Sequence, residues 1–478
     1  TVGVDDTGYD VKFFGATSGA YMLWDESADD LKLVGAAGLT VAGDADIDGT
    51  LETDNLTIGD SQGSDGQVLT STGSGVGWED ASGASDIDGL SDAKTFGTSS
   101  IMLGDATTGT INGANYNTGL GVDVFEVLTT GYNNTAVGYQ ALDSNTTGNH
   151  NVGVGYAAGG GITTGDKNIA IGQDTMAGAT VTGEANIAVG QRALQAVTSG
   201  GANVAIGQDA LYLNTTAGDN TAVGNLAMDA NTTGAKNVGV GVNALGANTT
   251  ASYNTAVGHT ALGACTIGME NTAVGQNAMA LATTGVQNVA VGSWALYAST
   301  TTSHYNTACG YSAGVLVTTG DNNLLLGRNA GYTGSPGGSI TTASNEVCVG
   351  DASISAANIQ VAWSVASDKR DKTDVSPMDL GLEFINQLEP VTYRWDKRSK
   401  YSDDQSAIPD GTHKEEQLEG GFLAQDVEAI EEQYGYKQAD KTNLTFHLSE
   451  DEQMYGIKYE KFVPMLVKAV QELSAEVE

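Results

Sequence analysis

Asn134-Thr-Ala-Val-Gly138, Asn151-Val-Gly-Val-Gly155 and Asn168-Ile-Ala-Ile-Gly172 follow one another at intervals of 17 residues. The closing glycine recurs at Gly190, Gly207, Gly224, Gly241, Gly258, Gly275, Gly292, Gly310 and Gly327, with two steps of 18 and the rest of 17. The series reaches back to Gly121 and Gly104, and a longer step of 23 carries it to Gly350, which makes fifteen units. In each unit the second and fourth residues are mostly β-branched and the third is mostly Ala or Gly. That alternation reads as a short strand with one bulky and one small face. A second block such as Ala141-Leu142 or Ala210-Leu211 follows, and many units close on Thr-Thr-Gly. Seventeen residues leave room for two short strands and two turns, so one unit is one coil of a solenoid that buries its apolar face on its neighbours. At ~4.8 Å per stacked strand the coils would build a rod of roughly 70 Å. The small third position suggests close approach by another backbone, in a second or third chain. Glycine after each strand suits a sharp bend or a positive φ.

The units resemble the head repeats of trimeric autotransporter adhesins, which form left-handed parallel β-rolls assembled as trimers. They also resemble repeats common in phage tail fibres. The resemblance covers about residues 100 to 350 and implies a mainly β, fibrous, homotrimeric shaft. Its Asn and Thr residues are expected to serve turns and side-chain stacking. No pair of carboxylates and no recurring His or Trp marks a glycan-cleaving site there.

Composition agrees with a thin-cored rod. Of 478 residues 65 are Gly and only 6% are aromatic, so there is little material for a thick core. The net charge of −38 makes nucleic acid a poor partner, because phosphate binding needs basic groups. No calcium-loop pattern appears, and neither a metal site nor a cofactor is expected. Cys265, Cys309 and Cys348 are odd in number and without framework spacing, which argues for small core residues rather than a disulfide scaffold. The opening Thr1-Val-Gly-Val-Asp-Asp6 has no basic region and no apolar run, so a signal peptide is not expected. No stretch approaches the ~20 apolar residues of a membrane helix, and no membrane insertion is expected.

The chain changes character at Ser367. Seven of the 20 Lys and Arg precede it, whereas only six of the 65 glycines follow Ala366. Four segments are therefore expected: a β-rich fibre piece over 1–59, a Gly/Ser/Asp-rich linker over 60–99, the repeat shaft over 100–366, and a small α+β domain over 367–478. In the last, Ser376-Pro377 suggests a helix start, with Leu380, Phe384, Ile385 and Leu388 as its apolar stripe. Val391-Thr-Tyr-Arg-Trp395 reads as a strand, and Gly421-Phe-Leu-Ala-Gln-Asp426 leads into a second helix. Tyr459, Phe462, Leu466, Ala469, Leu473 and Val477 form a terminal seam suited to a partner helix, in the manner of a coiled coil.

Ser367-Asp368 with Arg370 and Lys372, the Leu388-Glu-Pro-Val391 segment, Gly421-Phe422 with Ala424-Gln425, and the terminal helix resemble one family. It is the C-terminal intramolecular chaperone domain of phage endosialidases, tail spikes and neck appendages, found also in the myelin regulatory factor. The resemblance implies a domain that trimerises, guides folding of the preceding fibre, and is released by autoproteolysis just before the serine, here at Ala366–Ser367. Ser367 would be the nucleophile and Lys372 the base of a Ser-Lys pair. A lysine base must first lose its proton. In water that happens only near pH ~10.4, so desolvation or a neighbouring cation such as Lys369 or Arg370 has to help. Asp368 and Arg370 are expected to be structural, paired with backbone or with each other, and Gln425 to line the cleft. Ser367 and Lys372 are five apart, out of phase on a helix and on opposite faces of a strand. Either a turn folds the segment back, or the base comes from a neighbouring chain.

The whole reads as a phage tail fibre or appendage on the virion, made in the host cytoplasm. Its partners would be other tail proteins and a host-surface receptor, and its one enzymatic act would be on itself. A bacterial trimeric surface adhesin is the first alternative, which calls for a signal peptide and a C-terminal membrane barrel. A glycan-degrading tailspike is the second, which calls for a catalytic site in the shaft.

Overall fold

In this computed structural model the described residues are short stretches between Val11 and Phe96, then 99–478 without 105–112, 179, 300–302, 362, 403–405, 450 and 478. They belong to two compact units, Thr1–Ser85 and Asp86–Glu478. In the first unit β1 (Val11–Phe14), β2 (Tyr21–Asp25) and β3 (Asp30–Val34) form an antiparallel sheet. Two further strand pairs follow, β4 (Thr57–Ile58) with β5 (Ser61–Gln62) and β6 (Gln67–Ser71) with β7 (Val76–Asp80). Paired strands therefore cross part of the stretch expected as a linker, where Gln67–Ser71, set apart from its surroundings by Val68 and Leu69, pairs with Val76–Asp80.

The second unit is dominated by one 16-stranded sheet. It opens with β8 (Ala93–Phe96), antiparallel to β9 (Ser100–Gly104). From β9 through β10 (Thr118–Gly121) and the three-residue strands β11 (Thr135–Val137) to β23 (Val347–Val349), every pairing is parallel. Each strand lies in register on the next, Thr135 on Val152 and Val137 on Val154 for example. The chain is mainly β, and the shaft is a β-solenoid of about 17 residues per coil.

A row of asparagines fixes the register. Asn134 donates from its side-chain amide to the Gly148 carbonyl at 2.9 Å, and its side-chain oxygen accepts the Asn151 N–H at 2.9 Å. The row starts on Ser100, whose hydroxyl accepts the Asn117 N–H, and ends where Asn323 accepts from Glu346 N. These asparagines are buried, and each supplies what a coil's turn and the next coil's backbone lack. The closing glycine is equally constrained. Gly138 has φ +128°, and a Cβ there would stand 2.5 Å from the Gly155 carbonyl oxygen, so only glycine lets the coils stack.

Two expectations are corrected. The second block of the coil is not a strand. Leu142 and Leu211 sit in the left-handed region at φ 52°, which no strand allows. Their amides still reach the neighbouring coil, Leu142 N donating to Ala158 O at 3.1 Å. A left-handed residue costs about 1–2 kcal/mol, and full burial of a leucine contributes about 1.5–3 kcal/mol, so the burial of Leu142 and Leu211 offsets the strain at those two residues. The small third position also serves a different purpose. Ala136 is fully buried inside its own coil, and a Cβ on Gly153 would fall 2.9 Å from Leu142 Cγ. Its smallness accommodates the Leu/Met row of the same chain. The bulky second and fourth residues face outward instead, half-buried or exposed, with Ile206 at 40% and Val349 at 60% exposure.

The C-terminal segment adds α1 (Leu382–Gln387), β24 (Val391–Tyr393), β25 (Glu419–Gly421), α2 (Ala424–Gln433), β26 (Phe446–Leu448), β27 (Tyr455–Ile457) and α3 (Phe462–Val477). Leu380, Phe384, Val427, Phe462 and Met465 form its core. α1 begins later than Ser376-Pro377 suggests, after Gly381. Glu472 on α3 accepts the Leu382 N–H at 2.7 Å and supplies the cap that no local side chain provides.

Candidate active site

Ser367 lies in the exposed stretch that joins the last coil to the C-terminal domain. Directly after it, Asp368 initiates a one-turn 3-10 helix over Lys369–Asp371. Its carboxylate accepts the Arg370 N–H at 2.9 Å, the capping bond that Asp supplies at a helix start. The same carboxylate is gripped by the Arg370 guanidinium, Nη2 to Oδ2 at 2.6 Å. That hydrogen bond, with the backbone bond second, holds the Asp368 carboxyl below its usual range and raises Arg370 above its own. Asp368 and Arg370 thus brace a turn, and the Arg370 charge is taken up by Asp368.

The turn reverses the chain and sends Lys372 back over Ser367, with Nζ 2.6 Å from the serine Oγ. A turn within the chain thus brings the two side chains together despite the five-residue spacing. In this contact the ammonium donates; as a base the neutral amine would accept the hydroxyl proton through the same line. The pair is open to solvent, since residues 363–377 are exposed throughout. Gln425 stands on the exposed first turn of α2, and the hydrogen bonds around Ser367 do not include it.

The terminal seam divides in two. Phe462, Met465 and Ala469 of α3 turn inward onto the domain's own core. Tyr459 precedes the helix and stays exposed; Leu466, Leu473 and Val477 lie on its outer side, where Val463, Val467 and Val470 extend an exposed apolar surface. A groove of about 250 Å³, lined by Ile385, Leu388, Pro390, Phe422, Phe462 and Leu466, runs beside it. Sequence reasoning missed a second feature: Ile359, Val361, Trp363 and Val365, just before Ser367, alternate and are exposed. Period-two apolar spacing was the signal for it.

Residues 367–436 match the peptidase family described as the chaperone of endosialidase. No curated protein and no solved structure matches the chain. The match begins on Ser367 itself. Residues 367–436 therefore carry a chaperone-of-endosialidase domain, and autoproteolysis is the general activity that this match supports. A β-solenoid shaft followed by such a domain is the organisation of a tail-fibre- or spike-like protein with a chaperone.

Proposed function

We propose that the chain is the shaft of a phage tail fibre or appendage, a homotrimer carried on the virion, whose C-terminal domain drives assembly and then cuts itself off at Ala366–Ser367. The observation that carries the cleavage reading is the 2.6 Å contact of Lys372 Nζ with Ser367 Oγ, on the residue where the chaperone match begins. Because the serine follows the scissile bond, its hydroxyl can add to the Ala366 carbonyl carbon through a five-membered ring. Lys372, as the neutral amine, takes the hydroxyl proton and returns it to the departing Ser367 nitrogen. The C–N bond breaks, and an ester joins Ala366 to Ser367 Oγ. Water then hydrolyses the ester, leaving an Ala366 carboxylate and a free Ser367 amine and hydroxyl.

Two apolar surfaces support the trimer. The fourth strand position is apolar from Leu103 to Val349, an outward row running the length of the sheet. An outward apolar row of this length, half-buried or exposed at each strand, marks an interface. The outer side of α3 is the second. Burial of the Ser367–Lys372 pair between chains would remove the water that keeps a lysine charged, which ties cleavage to assembly. On the virion the shaft would join other tail proteins and present its surface to a host receptor.

Mass spectrometry of the purified protein tests the cleavage. Fragments 1–366 and 367–478 are expected from the wild type and an intact chain from Ser367→Ala. Hydroxylamine, which attacks esters, should hasten wild-type release and leave Ser367→Ala unchanged. Fragments at this bond in Ser367→Ala would remove the serine from the reaction.

A further inference from the structure

The coil between Gly327 and Gly350 takes 23 residues where the others take 17 or 18. Its additional residues are tied down at several points. Ser335 N donates to Tyr332 O at 2.9 Å, Gly338 N to Ser335 O at 2.9 Å, and Ile340 N to Gly331 O at 3.0 Å. Cys348 pins this loop to β23, its sulfur accepting from Gly331 N at 3.2 Å and its thiol donating to Pro336 O at 3.2 Å. Ile340 is buried against the end of the solenoid core. The loop is therefore a rigid surface on the last coil.

The turn between β26 and β27 rests on it. Asp451 Oδ2 accepts the Ser339 N–H at 3.1 Å, a contact between residues 112 positions apart. Asp451 is itself oriented by the Ser449 hydroxyl and by Gln453 N at 3.1 Å. Gly338 has φ +82°, and a Cβ there would meet Ser449 Cβ at 2.6 Å, so the Ser449 and Asp451 side chains rest on a backbone that only glycine leaves bare. Ser449 is buried at this contact. A further contact falls just past the coil: Lys397 Nζ donates to the Ala352 carbonyl at 2.7 Å while pairing with Glu415 at 3.2 Å. The covalent connector offers nothing comparable. Among its described residues no strand or helix lies between β23 and the turn at Lys369, and Trp363 is 81% exposed.

We propose that the long final coil is a docking seat for the C-terminal domain, which it holds by non-covalent contacts independently of the connector. The inference does not rest on self-cleavage, and its test is built to be blind to it. In a Ser367→Ala background, a site for a specific protease is placed between Asn358 and Ile359 and the purified full chain is cut. The shaft and the domain should then elute together in size-exclusion chromatography, and the Ser339 amide should remain slow in hydrogen exchange. Asp451→Ala on the domain side, or Gly338→Val on the shaft side, should make the cut pieces separate, with the uncut proteins unchanged in far-UV spectrum. Separation of the pieces with the seat intact, a Ser339 amide that exchanges at once after cutting, or co-elution of the cut variants would overturn the proposal.

Discussion

The shaft and the C-terminal domain satisfy their polar groups in opposite ways. In the shaft the partner of a residue is usually its own counterpart one coil away, so Asn220 N meets Asn203 Oδ1 and Asn237 N meets Asn220 Oδ1. In the domain the partners are unrelated in type and distant in sequence: Gln387 with Tyr434, Tyr436 with Asp379, Leu382 with Glu472. Glu431 is fully buried and collects the Leu444 and Thr445 N–H groups at 2.9 and 2.8 Å. A repeat propagates from any correctly formed coil, whereas such a domain must find its contacts all at once. The difference fits a division of labour in which the domain starts assembly and the shaft extends it.

The strongest break in that comparison is removal of residues 367–478. Long-range β-pairing is slow and leaves strand edges open while it proceeds, so nearly all the shaft should be recovered as aggregate. Soluble yield and sedimentation measure this, and a full yield of folded shaft would end the division of labour. Next in size is Leu466→Asp with Leu473→Asp on the outer side of α3. Trimer content by sedimentation and self-cleavage by gel should fall together. If the monomer still cleaves at the wild-type rate, the turn at Lys369–Asp371 suffices and assembly is not needed.

Smaller changes probe the asparagine row. Asn220→Ala leaves the Asn237 N–H without its partner in a buried place and the Gly234 carbonyl with the Asn231 amide alone. A loss of about 2 kcal/mol is expected, read as faster hydrogen exchange in the coils on either side and little change in the C-terminal domain. The smallest effect is a gain. A second row runs Asn214, Asn231, Asn248 and stops at Cys265, whose thiol turns to the Gly268 carbonyl at 3.4 Å. The Asn248 side-chain oxygen is left buried without a partner. Burial also pushes the Cys265 thiol up to about 11, so it is inert at neutral pH. Cys265→Asn should continue the row and stabilise the shaft by about 1 kcal/mol, visible as a higher melting temperature.

The period of the shaft, its strand, its turn glycine and the place where the repeat gives way to another domain were all legible in the sequence. Each is imposed by local geometry and returns in every coil, so a one-dimensional pattern records it. Ser367 and Lys372 stand at that composition break, which is what draws a sequence reading to them. Three things needed the tertiary structure. The Ala and Gly of the strand face their own Leu/Met row, because those left-handed residues turn inward in most coils. The start of α1 depends on Glu472, which lies 90 positions away. The approach of Lys372 to Ser367 depends on the Asp368–Arg370 brace, which turns a spacing unsuited to helix or strand into a 2.6 Å contact. In each case the deciding partner belongs to a contact that no periodicity encodes.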